Sequence, residues 1–186
     1  MHGWLKFANI VDALNEQVGR LMYWLAFAMI LLGAYNATVR YLGQYIGANL
    51  SSNAYLEAQW YLFGTMFMLG AAYTLKHNAH VRVDIMYGRL SPKGQAWIEL
   101  AGTLVFLLPF SILILWLSLS WVGFSWKFHE MSPNPGGLPR YPIKTIVPIA
   151  FVLLILQGLS QAIKAIAVIR GHRASVYESK QEDVVL

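Results

Sequence analysis

Hydrophobic positions in this chain gather into four long runs, and the charged positions stand between them. Residues 21–39, 58–75, 100–126 and 145–163 contain no Asp, Glu, Lys or Arg over 19, 18, 27 and 19 residues. A helix rises about 1.5 Å per residue, so about 20 residues cross a hydrocarbon core of ~30 Å. The pattern predicts an all-α membrane protein with four transmembrane helices, one per run. Residues 1–170 then form one four-span membrane domain, and 171–186 are expected to be a disordered, polar cytoplasmic tail.

Finer patterning adds a helix ahead of the first span. Trp4, Phe7, Ala8, Val11, Leu14 and Val18 recur at spacings of three and four, with Lys6, Asn9, Asp12 and Glu16 elsewhere on the helix. This predicts an amphipathic helix lying at the membrane interface before the chain turns inward. Ser91-Pro92 reads as a helix start, with Ser as the cap and Pro in the first turn. Pro109 falls inside the 27-residue run and predicts a bend there. Pro133, Pro135, Pro139 and Pro142, with Gly136-Gly137, predict a stiff, irregular loop between the last two spans.

The charge balance sharpens this topology. Four spans put both termini and the second connecting loop on one side, with Lys6, Arg20, Lys76, Arg82, Arg89, Lys93, Lys164, Arg170, Arg173 and Lys180. The other side has Arg40, Lys127, Arg140 and Lys144. Positive charge concentrates on cytoplasmic segments, so both termini are expected to be cytoplasmic. The net charge of +5 is thereby a topology signal with some attraction to lipid headgroups, and no nucleic-acid partner is expected.

Candidate chemistry is sparse. The chain has no cysteine. Its histidines (His2, His77, His80, His129 and His172) avoid the span centres, where haem ligands would have to face one another. A membrane anchor for a respiratory or other enzyme complex is the alternative reading, and this placement disfavours it. No nucleophile–base pair or phosphate-binding loop is visible, so no catalytic, metal or cofactor site is expected. Glu57 reads as a solvated acid at a helix start, favoured by the dipole. Gln157 and Gln161, four apart, share a helix face suited to hydrogen bonding between helices, and Gly64 and Gly70 are candidate close-packing positions.

Two loop motifs carry more information than the spans. The first is His80-Val81-Arg82-Val83-Asp84. The second runs Glu130-Met131-Ser132-Pro133-Asn134-Pro135-Gly136-Gly137-Leu138-Pro139-Arg140, followed by Lys144, Pro148 and Gln157-Gly158. Together they resemble the small membrane subunit, DctQ type, of tripartite ATP-independent periplasmic (TRAP) transporters, over nearly the whole chain. The resemblance implies a non-catalytic permease subunit in a bacterial or archaeal inner membrane. Its implied partners are a separate large membrane subunit, a periplasmic substrate-binding protein and the lipid bilayer. It implies ion-gradient-driven uptake of a small solute, with sodium as the ion and an organic acid as the solute expected. Structural or assembly roles then fall to His80, Arg82, Asp84, Glu130, Gly136, Gly137, Leu138, Pro139, Lys144 and Gln157.

Overall fold

The structure is a computed structural model that describes residues 2–47, 51–80 and 87–177. These residues form helices α1 (His2–Ile46), α2 (Asn53–Lys76), α3 (Pro92–Gly102), α4 (Leu108–Lys127) and α5 (Tyr141–Ile169). A π-helical turn, Thr103–Leu107, joins α3 to α4 in one continuous helical run. Among the described residues there is no strand, only an isolated bridge between Met131 and Pro139.

Three helical stretches are long and apolar enough to cross a membrane: Gly3–Ile46, Pro92–Lys127 and Tyr141–Ile169. Helix α2 has the length, at 24 residues, but has no 18-residue stretch apolar enough to join them. Gln59, Trp60, Tyr61, Thr65, Tyr73 and two glycines dilute its aliphatic content. The fourth predicted span, 58–75, is thus a helix of mixed rather than uniformly apolar character.

The chain packs as two compact units. One comprises Met1–Gln17, Ala71–Ile114 and Phe151–Leu186; the other comprises Val18–Gly70 and Leu115–Ala150. The first gathers the N-terminal part of α1, the α2–α3 connection and the C-terminal part of α5. The second gathers the α1–α2 and α4–α5 connections.

Helix starts follow local chemistry. Ser91 caps α3, its Oγ accepting from the Gly94 amide at 3.3 Å, and Pro92 occupies the first turn. Helix α5 opens at Tyr141-Pro142. The start of α1 departs from expectation: it is one unbroken 45-residue helix, with no turn near Arg20. Its packed face also differs from the predicted one. Ala8, Val11 and Asn15 are buried, whereas Trp4, Phe7, Ile10 and Leu14 stay exposed. Polar residues lie on the packed face because α5 offers them Gln157, Ser160 and Lys164 as partners.

The stretch assigned to the polar tail divides in two. Residues 171–177 are described, and Val176 is buried against Ala96, Ala165 and Val168. Residues 178–186 lie outside the described residues. Gly171 ends α5 at φ +75°, the left-handed conformation that glycine adopts at low cost.

The predicted bend at Pro109 takes the form of the π turn just ahead of it. Proline lacks an N–H and its ring crowds the carbonyl four residues back, so the helix must rearrange there. The Leu108 N–H bonds to the Thr103 carbonyl, five residues back. The widened turn lies against Gly158 of α5, where an added Cβ would stand 3.0 Å from Leu107 Cδ2 and 3.3 Å from Leu108 Cδ2. Gly158→Val is therefore expected to lower stability by about 1–3 kcal/mol through overpacking, measured by thermal unfolding in detergent.

Candidate functional site

Polar networks built on carboxylates organise both units. In the second unit, Glu57 on α2 is only 2% exposed. Its carboxylate accepts from Ser132 Oγ, from Asn134 Nδ2 at 2.8 Å and from the Leu138 backbone amide at 2.6 Å. The α4–α5 loop wraps this one carboxylate. Asn53 Nδ2 adds a bond to the Pro135 carbonyl at 2.9 Å, and Tyr61 Oη one to the Pro139 carbonyl at 3.2 Å. Gly137 leaves room for the acid: a Cβ there would sit 2.5 Å from Ser132 Cβ and 2.7 Å from Glu57 Oε2. Glu57 is thus a buried anchor, not the solvated acid expected at a helix start, because the returning loop supplies its donors.

Glu130 closes the base of the same loop. It accepts from Ser125 Oγ at 2.7 Å and pairs with the Lys144 ammonium, while its carbonyl accepts the Arg140 amide at 2.8 Å. Lys144 Nζ also lies 4.4 Å from the centre of the Trp121 ring. The Ser132 amide bonds to the Leu138 carbonyl at 3.1 Å, giving the loop a short ladder. Glu130, Gly136, Gly137, Leu138, Pro139 and Lys144, the second motif, thus meet in one element.

The Lys144 hydrogen bond, followed by that of Ser125, holds the Glu130 carboxyl below its ordinary value of 4.5. A lowered native pKa means the pairing stabilises the loop fully above the unfolded value and is lost as pH falls through the native one. Protection of the loop amides from hydrogen exchange is therefore expected to decline below about pH 4.5. Glu130→Gln should remove that Glu130-dependent part of the decline and lower protection at pH 7.

In the first unit, Asp12 of α1 pairs with Lys164 of α5. Asp12 Oδ1 also accepts from Ser160 Oγ at 3.0 Å and from Gln157 Nε2 at 3.1 Å, and Gln157 Oε1 accepts from Asn15 Nδ2 at 2.7 Å. One turn on, Gln161 Nε2 donates to Glu99 of α3 at 2.6 Å. The hydroxyls of Tyr87 and Tyr177 donate to the same carboxylate at 2.9 and 3.0 Å. Glu16 bridges Lys76 at 2.6 Å and His77 at 3.1 Å. Residues 157, 160, 161 and 164 line one face of α5, tied to α1 and α3.

Other singled-out residues lie apart from these networks. His80 sits exposed in a bend, and Arg82 and Asp84 fall outside the described residues. A Cβ on Gly64 or Gly70 would meet no atom within 4 Å, so neither marks a close helix crossing within the described chain. No three His, Cys, Asp or Glu among the described residues are placed to hold a metal. The arrangement is suited to fixing helices and a loop.

Residues 29–168 match the family described as Tripartite ATP-independent periplasmic transporters, DctQ component. The chain belongs to the DctQ family. A relative from Haemophilus influenzae, named as a TRAP transporter small permease protein, is 27% identical over 132 residues, covering 71% of this chain and 76% of the relative. The matched DctQ region holds Glu57, the whole α4–α5 loop and the Gln157–Lys164 face. Asp12, Asn15 and Glu16 precede it.

Proposed function

We propose that this chain is the small, non-catalytic permease subunit of a TRAP-type secondary transporter, serving as a fixed scaffold for a separate large membrane subunit. The supporting observation is the set of carboxylate networks. They tie α1, α3 and α5 together in one unit and clamp the α4–α5 loop onto α2 in the other. Breaking such networks is costly, which suits an element that stays still while a partner moves.

Helix α2 is the fourth span in this reading. Leu56, Trp60, Phe63 and Phe67 expose 45%, 47%, 54% and 70% of their surface along one stripe, which suits lipid or another membrane subunit better than water. The grouping of the N-terminal segment, the α2–α3 connection and the C-terminal segment in one unit supports both termini on one side. The basic excess makes that side cytoplasmic in a bacterial or archaeal inner membrane. The large subunit would carry the solute and coupling-ion sites, and a periplasmic binding protein would deliver the solute. Uptake is expected to be ion-gradient-driven, with sodium as the ion and a small organic acid as the solute. The clamped loop is a docking surface for that binding protein, and residues 80–84 serve assembly.

Mild-detergent purification of the tagged full chain from its native membranes, followed by mass spectrometry and a visible spectrum, tests the assignment. A stoichiometric, much larger polytopic partner without a haem band is the expected result. A haem band or a soluble oxidoreductase partner would overturn it in favour of the enzyme-anchor reading.

A further inference from the structure

A groove of about 310 Å³ opens in the second unit between α2, α4 and α5. Its walls are apolar: Trp60, Gly64 and Met68 on α2, Trp121 on α4, and Ile143 and Val147 on α5. Gly64 helps to open it, since a side chain there would project into free space among the described residues. Two cations, Arg140 and Lys144, also line it. They bracket the first turn of α5, where the helix dipole adds positive potential. The Arg140 Nε is buried and has no hydrogen-bond partner among the described residues. A buried donor of this kind is expensive to leave unmade, and it lies beside an apolar channel.

We propose that this groove binds a membrane glycerophospholipid, one acyl chain lying along Gly64, Met68 and Val147 and the phosphate held by Arg140 and Lys144. Both cations already sit in the field of loop carboxylates, Lys144 in contact with Glu130 and Arg140 near Glu57 and Glu130, so a phosphate would share them through the donors left over. The two tryptophans suit the headgroup level, where indole rings concentrate. Lys144 retains donors for a phosphate, since an ammonium has three and Glu130 takes one. The proposal rests on the membrane location of the chain and not on its role beside a large subunit.

The test uses the full chain, isolated with whatever partners accompany it and reconstituted in vesicles doped with a phosphatidylglycerol carrying a photoreactive group halfway along one acyl chain. Labelling is expected on peptides containing Gly64–Met68 and Ile143–Val147. Arg140→Gln should reduce it roughly tenfold, the factor of one charge-assisted hydrogen bond. Gly64→Leu, which fills the channel and leaves both cations in place, should reduce it comparably while labelling of α1 is unchanged. Equal labelling by a photoreactive diacylglycerol, which lacks the phosphate, would overturn the headgroup assignment. Uniform labelling of all exposed helices, indifferent to both substitutions, would overturn the site. So would a photoreactive amino acid at Met68 that captures a protein partner instead of lipid.

Discussion

Replacing Lys164 by alanine is expected to destabilise the protein by about 3 kcal/mol, the low end of the cost of breaking a buried pair, because the Asp12 carboxylate left behind keeps some contact with solvent. Lys164 is 7% exposed and Asp12 lies against it, with Ser160 and Gln157 as the further donors to Asp12. Removing the ammonium leaves a carboxylate that two neutral donors cannot satisfy. Asp12→Ala is expected to destabilise in the same direction, because it removes the carboxylate that faces Lys164, Ser160 and Gln157. The informative comparison is the double variant Asp12→Leu/Lys164→Met. It removes both charges and keeps much of the volume, and apolar replacement of a buried pair is often close to neutral. Recovery of most of the lost stability in the double variant is expected, read by thermal unfolding in detergent. Single variants that each lie within about 1 kcal/mol of the parent would show that the pair contributes little.

Glu57→Ala is expected to release the α4–α5 loop while leaving the helices formed. Three donors (Ser132 Oγ, Asn134 Nδ2 and the Leu138 amide) lose their shared acceptor at once. Hydrogen bonds to a charged group contribute about 1.5–3 kcal/mol each, and those sharing one carboxylate do not add in full. A loss near 3 kcal/mol corresponds to roughly a hundredfold fall in hydrogen-exchange protection at Leu138. Glu57→Gln should fall between, since its amide nitrogen would face a donor where an acceptor is needed. Unchanged protection at Leu138 in Glu57→Ala would mean that the prolines and the Glu130 pairing hold the loop unaided. Uptake and binding-protein affinity measured on the same variants would then link loop order to docking.

Helices were legible in the sequence wherever the signal was local. Ser91-Pro92 marked a real helix start, and Pro109 marked a real irregularity, although nothing in the run announced a π turn. Four-residue spacing put Gln157 and Gln161 on one face, and they do share it. The networks themselves were not legible. Glu57 meets its loop partners across 75, 77 and 81 residues of sequence, and Asp12 meets Lys164 across 152. Periodicity reports which face a residue occupies and says nothing about what faces it. The reading of α1 missed part of its packed face for that reason: Asp12 and Glu16 look like a solvent face until partners arrive from α5 and α2. The one hint was compositional. Lys164 directly follows the last apolar run, and Asp12 and Glu16 precede the first.

The distance between Asp12 and Lys164 along the chain also bears on how the protein is made. Asp12 leaves the ribosome 152 residues before its partner. At about 5–20 residues per second, that interval is roughly 8–30 s. Until α5 arrives, the first helix carries an acid whose counter-ion does not yet exist, so its leading segment must wait in water or at the headgroup surface. The last helix therefore completes the first, and a nascent chain halted before Lys164 retains an N-terminal segment still open to proteases and chaperones.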